Sequence, residues 1–228
     1  MNTTMNPNYN WNSPENQAEI RKVADYDKAY VSGDIEHLQA AERDALGGAD
    51  GYAIGVNVES PWGDNKVLSV DHEDGVDTVM KEITVKPGYM LSLQRHRGRA
   101  ELWEVKSGTL TVISDGQRIE VPAGESIELP KGNVHCMNNV HEEPVTVIET
   151  QTGICREADI ARLVDFNGRA TIPLTTLSEM KSAQIYAEMH REIEQKFGCD
   201  VKPAEQFLTS EYQDVINNFR QPSPLSGS

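Results

Sequence analysis

Cysteines, basic residues and long apolar runs are scarce in this sequence, and each scarcity excludes a class of protein. The three cysteines, Cys136, Cys155 and Cys199, are odd in number and have no C-x-x-C spacing, so we do not expect a disulfide framework. This usage fits a reducing cytoplasm. No apolar run approaches the length of a membrane-spanning helix. The polar residues 1–7 lack the basic and apolar regions of a signal peptide.

Positive charge is also in short supply. The chain has 21 Lys and Arg against 36 Asp and Glu, a net charge of −15. Nucleic acids and anionic membranes are bound by cationic surfaces, so we expect neither as a partner. A small anionic ligand would require a local basic patch. Arg95, Arg97, Arg99 and Lys131 could form one, although Arg95 and Arg97 are equally consistent with solvated turn residues.

The order of the segments predicts one β-barrel between two helical extensions, because 228 residues allow one such domain with additions. We place the N-terminal helical arm at 1–50, the barrel at 51–168, and the C-terminal helical extension with a frayed tail at 169–228. Short β-rich segments divided by Gly, Pro, Asn and Asp fill the middle range. Further predictions name individual elements: a helix starting at Ser13-Pro14, another over 34–46, strands that include Val67–Val70, Thr78–Val85 and Val145–Gln151, and helices over Leu177–Phe197 and Pro203–Phe219.

Two spaced motifs within residues 88–139 carry four side chains that suit one divalent cation. These side chains are Gln94, His96, Glu101 and His135. Gln94 and His96 are two apart and therefore share one face of a strand, whereas Glu101 opens the next apolar run. His135 follows a predicted tight turn over 130–133, where Pro130 and Gly132 suit the required backbone angles. Imidazole, carboxylate and amide oxygen together favour a borderline or hard metal ion.

A simpler interpretation of the four residues is a set of polar barrel side chains that satisfy one another or bind water. The remaining histidines are predicted to be surface residues. They are His37 and His190 in helical patterns, and His72 and His141 in charged turns.

Both motifs resemble the cupin superfamily, whose fold is a double-stranded β-helix or jelly-roll barrel. A closer resemblance is to the type II phosphomannose isomerases. It is carried by Leu91–Trp103, Ser60–Gly63, Val85–Gly88, Ile148–Gly153 and the closing segment Asp159–Arg169, and it spans about residues 60–169. By this resemblance, the metal ligands are Gln94, His96, Glu101 and His135. The fold class that we predict is therefore an all-β cupin barrel with helical extensions.

The resemblance implies a metal-dependent aldose–ketose isomerase of the mannose type. Its substrate would be mannose 6-phosphate, converted to fructose 6-phosphate, or a free sugar such as mannose or lyxose. We expect one divalent ion, Zn²⁺ or Mn²⁺ first, with Co²⁺, Fe²⁺ or Ni²⁺ as alternatives. Strand alternation suggests Glu149, Lys81 and Arg99 as catalytic residues, although Glu149 can equally face solvent, Lys81 can lie at a barrel end and Arg99 can support Glu101.

The sequence also departs from that family. Gly98 and Leu102 stand where the family usually has histidines, and Cys136 stands where it usually has a basic residue. The larger members carry a nucleotidyltransferase domain with a Gly-rich loop, which is not seen here, so we expect that activity to be absent. Two other functions stay open: a cupin dioxygenase and a non-catalytic sugar-binding cupin. The apolar stripes of the C-terminal helices suggest a homodimer.

Overall fold

A computed structural model describes residues 12–34, 37, 54–156, 158–165, 169 and 171–198. The predicted second N-terminal helix lies largely outside these residues. The predicted helix over 203–219 and the C-terminal tail lie outside them entirely. Within the described ranges, neither of the two named helices is long and apolar enough to cross a membrane.

Both described helices begin where the sequence predicts, and the C-terminal one also ends at the predicted residue. Helix α1 spans Pro14–Ser32, with Ser13 as its N-cap and Gly33 in the left-handed conformation after its end. Helix α2 spans Leu177–Phe197 and ends at Gly198. Its first turn has a capping box in which Thr176 and Glu179 satisfy each other's backbone donors.

In the part of the chain that the structure describes, twelve strands form two sheets of six antiparallel strands each. Their bounds are β1 (Asn57–Ser60), β2 (Gly63–Glu73), β3 (Val76–Val85), β4 (Tyr89–Met90), β5 (Leu93–Arg95), β6 (Arg99–Ser107), β7 (Thr109–Ser114), β8 (Gln117–Pro122), β9 (Ser126–Leu129), β10 (His135–Asn139), β11 (Val145–Gly153) and β12 (Ala161–Val164). One sheet has the order β1-β2-β3-β11-β6-β9, and the other has the order β12-β5-β10-β7-β8, with β4 also paired to β10.

The space between the sheets has an apolar half and a polar half. Strand β11 alternates strictly between buried and partly exposed residues, so Val145, Val147, Glu149 and Gln151 all face inward. The inward residues change from valine to acid and amide along this strand. Apolar side chains of both sheets, including Trp103, fill the first half. The polar half therefore lies within the barrel, next to the packed apolar core.

The helices cover the outer face of the second sheet. Val23 of α1 and Tyr186, Met189 and Ile193 of α2 pack in one buried cluster with side chains such as Leu93. The C-terminal helical stripe that suggested a dimer is thus used, in part, for packing on the chain's own barrel.

The fold class is confirmed: an all-β cupin barrel carries helices before and after it. The predicted strand segments all fall within strands, and the turn before His135 closes through a hydrogen bond from Asn133 N to Pro130 O, with Gly132 at a φ of +81°. The bounds of the three predicted domains remain predictions.

Two expectations about surface residues were wrong. His190 is fully buried in the packed face of α2, because the stripe that contacts the barrel includes its position. Arg95 is not a solvated residue either. It is buried on the outward face of β5, where the helices cover it.

His190 should make the fold acid-sensitive. Burial, together with the positive charge of Arg191, lowers the pKa of His190 from its ordinary 6.5 to about 4. The pKa is lowered although the carboxylate of Glu194 lies 3.6 Å from His190 Nδ1. The unfolded chain therefore takes up the proton first, and stability should fall as the pH drops from about 6.5 towards 4.

The measurement is urea unfolding of the wild type and His190→Gln at pH 7 and pH 4.5. His190→Gln should lose less stability over this interval, by on the order of 1–3 kcal/mol. Equal losses in both proteins would contradict the assignment.

Candidate metal centre

The structure brings the four predicted ligands to the polar half of the barrel. Donor atoms of His96, Glu101 and His135 all lie within 4.8 Å of one another, and all three residues are buried. Gln94 joins them, because its amide Nε2 lies 3.3 Å from His96 Nε2. Of the four, Gln94 is the one that is partly exposed.

Three strands and one tight loop place these groups. His135 opens β10 and pairs directly with Gln94 of β5, so these two residues come from neighbouring strands of one sheet. Glu101 belongs to β6 of the other sheet and faces them across the interior. The site therefore depends on the closure of the two sheets, not on any single strand.

Both imidazoles donate from Nδ1 to a backbone carbonyl. His96 Nδ1 lies 2.5 Å from Asp159 O, and His135 Nδ1 lies 3.0 Å from Asn133 O. A carbonyl can only accept, so each Nδ1 carries the proton and each Nε2 keeps its lone pair. This second contact fixes the tautomer and ring orientation, as it does for metal-binding histidines generally.

The protonation states suit a cation. Burial, with Arg99 nearby, lowers the pKa of His96 well below its ordinary value, and burial likewise lowers the pKa of His135. Burial alone would raise the pKa of Glu101, but the surrounding basic groups, among them the Arg99 guanidinium, lower it. Two neutral imidazoles therefore face one carboxylate, which is the form in which these side chains bind metals.

Within this cluster, one buried atom has no hydrogen-bond partner among the residues that the structure describes. It is His135 Nε2, which points into the cluster and lies 3.5 Å from Glu101 Oε2. A buried acceptor without a partner costs roughly 1–3 kcal/mol. A bound cation would satisfy this lone pair, so the donor set fits a metal ion.

The three predicted catalytic residues also lie in the polar half. Arg99 Nε donates to Glu101 Oε1 at 3.0 Å, and Arg99 Nη2 lies 3.1 Å from His96 Nε2. Glu149 lies 3.6 Å from Lys81 Nζ across neighbouring strands. All three face inward and are buried, but the roles assigned to them stay predictions.

Gln151 and Trp103 complete the cluster, and sequence reasoning did not select them for it. Gln151 Nε2 donates to Glu101 Oε1 and Glu149 Oε1 at 3.1 and 2.8 Å. Trp103 Nε1 lies 3.1 Å from an oxygen of each of the same two carboxylates. Strand alternation already placed them on the faces of Glu149 and Glu101, and that signal could have identified both.

Asp115, which follows β7 of the second sheet, links the turn before His135 to the start of α2. Its carboxylate accepts from Asn133 Nδ2 at 2.6 Å, from Val134 N at 3.0 Å and from Ser178 Oγ at 2.9 Å. Asn133 supplies the carbonyl that orients His135. The start of α2 is thus tied to the turn that holds this ligand.

Two antiparallel sheets around a buried His–Glu–His set define the chain as a cupin. A family model described as "Mannose-6-phosphate isomerase C-terminal" matches residues 48–165. This is half of the chain, and the protein belongs to that family.

Curated relatives share the same part of the chain. "Mannose-1-phosphate guanylyltransferase" of Escherichia coli (strain K12) is 40% identical over 125 residues, which is 53% of this chain and 25% of the relative. "Alginate biosynthesis protein AlgA" of Pseudomonas aeruginosa is 42% identical over 118 residues, 51% of this chain and 24% of the relative. The chain therefore spans about a quarter of the length of these relatives.

Solved structures resemble the fold at low identity. A double-stranded β-helix protein from Klebsiella pneumoniae is 19% identical, with a TM-score of 0.38, over 48% of this chain and 86% of that one. A Cupin 2 conserved barrel domain protein from Salinispora arenicola is 22% identical, with a TM-score of 0.34, over 38% and 72%.

The prediction of a mannose-type isomerase is contradicted by the names of the relatives. These proteins are named as guanylyltransferases or as alginate biosynthesis proteins, and the one activity that the names state is a transferase activity. The narrower predictions of an intramolecular oxidoreductase and of a lyxose isomerase are wrong for the same reason. A barrel and a ligand set specify a fold and a kind of site, but several reactions can be built on them.

The loop between His96 and Glu101 should tolerate no side chain at Gly98. A Cβ there would lie 2.1 Å from Tyr30 Oη and 2.6 Å from Ile154 O. Gly98→Ala should therefore lower the free energy of unfolding by about 1–3 kcal/mol, measured by urea denaturation.

A double variant separates the two contacts. Gly98→Ala combined with Tyr30→Phe removes the nearer atom and should recover part of the loss, while the Ile154 carbonyl stays in place. A single variant as stable as the wild type would contradict the packing described.

Proposed function

We propose that this protein is a metal-binding cupin module that binds a phosphorylated mannose. Gln94, His96, Glu101 and His135 would hold one divalent ion. The observation that carries the proposal is the buried His96–Glu101–His135 cluster, together with the partnerless Nε2 of His135. Bound there, the ion would supply a fixed positive charge that polarises ligand oxygens.

The ligand set narrows the choice of ion. Two imidazole nitrogens with a carboxylate and an amide oxygen suit Zn²⁺ or Mn²⁺, and Co²⁺, Fe²⁺ and Ni²⁺ are compatible with the same donors. The cluster contains no thiolate, which removes the donor typical of closed structural zinc sites.

The charges of the polar half favour an anionic ligand. Lys81 and Arg99 are balanced there by Glu101 and Glu149, so a divalent ion would leave the cluster with about two net positive charges. The chain as a whole carries −15. The positive cluster would attract an anion to this site, whereas the negative charge of the rest of the protein would repel it elsewhere.

Phosphorylated mannose is the anion that the relatives indicate. The names of two of them include mannose 1-phosphate, and the domain shared with them is the one that contains this cluster. In this proposal Lys81 and Arg99 bind the phosphate or a hydroxyl, and Glu149 accepts from a sugar hydroxyl. Gln94 would lie at the ligand's entry, because it is the partly exposed member of the set.

Guanylyl transfer is a second candidate, since the curated relatives bear that name. It ranks below binding because the shared segment is about a quarter of each relative. Incubation with GTP and mannose 1-phosphate, followed by an assay for pyrophosphate, distinguishes the two. Release of pyrophosphate would favour the transferase.

Metal binding should depend on His135. After chelation, reloading with Zn²⁺ or Mn²⁺ and gel filtration, elemental analysis should find about one ion per wild-type chain and much less in His135→Gln, because one nitrogen ligand is lost. His141→Gln is the matched control, since His141 lies on the partly exposed surface beside Glu120. Equal metal contents in the two variants would contradict the assignment.

Ligand binding should require the ion. Titration calorimetry should detect mannose 1-phosphate or mannose 6-phosphate binding to the metal-loaded protein, with affinity at least about tenfold lower after chelation, because the central charge is gone. Lys81→Met should weaken phosphate-sugar binding more than binding of free mannose. No ketose should form from either phosphate. Equal binding with and without metal would overturn the proposed function.

The assembly stays part of the proposal. A homodimer, the absence of nucleic-acid and membrane partners, and a cytoplasmic location are expectations from composition and helical pattern, and light scattering at several protein concentrations would test the first of them.

A further inference from the structure

Helix α1 lies against the loop that joins two of the predicted ligands. Its apolar contact with this region is small: Tyr26 and Ala29 form a buried pair, flanked by Tyr30, Ile154 and Ala158. Most of the specific contacts between this end of the helix and the loop are instead polar. They converge on the segment between His96 and Glu101.

Asp159 is the residue through which the helix reaches a ligand. Its backbone carbonyl accepts from His96 Nδ1 at 2.5 Å and thereby orients the ring. Its side chain is buried as well. A shift of Asp159 would therefore move or release the imidazole of His96.

The Asp159 carboxylate is held from two sides. Oδ1 accepts from Arg97 N at 3.1 Å, and Oδ2 accepts from Gly98 N at 2.7 Å. The hydroxyl of Tyr30, from α1, donates to the same Oδ2 at 3.3 Å. The Asp159 carboxylate thus contacts both helix α1 and the loop between His96 and Glu101, and the backbone carbonyl of the same residue orients His96.

The absence of a side chain at Gly98 allows Tyr30 to reach Asp159. A Cβ at Gly98 would lie 2.1 Å from Tyr30 Oη and 3.1 Å from Asp159 Oδ2. Any side chain at this position would exclude the tyrosine hydroxyl. The docking of α1 is therefore matched to a feature of this chain's own ligand loop.

A buried arginine forms a second link on the other side of His96. Arg95 donates to both carboxylate oxygens of Asp27 at 3.1 Å and to Glu179 of α2 at 3.3 Å. Asp27 also accepts from Arg97 Nε at 2.9 Å. Both residues that flank His96 in sequence are therefore paired with one carboxylate of α1.

We propose that helix α1 is a positioning element of the metal site, which acts through Tyr30 on Asp159 and through Asp27 on Arg95 and Arg97. It sets the orientation of His96, so that metal affinity depends on the docked helix. The effect on metal affinity rests on the proposed function, but the effect on the orientation of the His96 ring does not.

Two tyrosines one helical turn apart give a matched test. Tyr30→Phe removes the hydroxyl that contacts Asp159, whereas Tyr26→Phe removes a buried hydroxyl that has no hydrogen-bond partner among the described residues. Calorimetric titration of the metal-free full-length chain with Zn²⁺ or Mn²⁺ should show affinity at least about threefold lower for Tyr30→Phe, approaching the tenfold typical of such partners. Tyr26→Phe should bind like the wild type.

Two aspartates on the same helix give an independent pair. Asp27→Asn weakens the pairing with Arg95 and Arg97 and should lower metal affinity in the same direction. Asp25→Asn makes the same change in charge at an exposed position and should not. If each variant matches its control in affinity while folding normally by circular dichroism, the positioning role is overturned.

A readout without metal separates this inference from the proposed function. In metal-free protein, the Nδ1 proton of His96 should exchange slowly in nuclear magnetic resonance spectra of the wild type and Tyr26→Phe, and measurably faster in Tyr30→Phe. If the wild-type chain binds no ion, the proposed function is wrong. The exchange rate of the His96 Nδ1 proton would then test the positioning role of α1 by itself. Identical exchange in all three proteins would overturn it.

Discussion

The structure depends on one buried carboxylate, Glu101, held inside a barrel by groups from both sheets. Arg99 and Gln151 donate to it, and two neutral imidazoles face it. An unpaired charge at this depth would cost several kcal/mol, so the polar partners and the walls must be in place together. This constraint explains why the interior is divided: an apolar half provides the folding energy, and the polar half is confined to one end, where each charge has a partner.

The orientation of the ligands is set by backbone carbonyls that the helices support. His96 is oriented by Asp159 beside α1, and His135 by Asn133 beside α2. The link to α2 runs through Asp115, and the link to α1 runs through Tyr30. The helical extensions are therefore more than additions to a finished barrel. They immobilise the residues on which ring orientation depends, and loss of such outer contacts typically lowers metal affinity by about 10- to 100-fold.

Local signals predicted the helices, the strands and the grouping of the four ligand residues. Ser13 and Gly198 mark helix ends through capping. The spacing of two between Gln94 and His96 predicted that their side chains point the same way, and the two meet in the structure although β5 ends at Arg95, one residue before His96. The pairing of Arg95 with two distant helices could not be read in this way, because its partners are 68 and 84 residues away. The reaction was not predictable either. Relatives that share this domain include proteins with transferase names, and the ligand set does not distinguish such chemistries.

The account rests on a single ion bound jointly by side chains from both sheets, and anomalous X-ray scattering from crystals of metal-loaded protein tests this most directly. Data collected on either side of the absorption edge of the added ion should give one strong peak per chain, located between Nε2 of His96, Nε2 of His135 and the carboxylate of Glu101. Crystals soaked with excess metal that show no peak at this position, or a peak only at surface residues, would contradict the account.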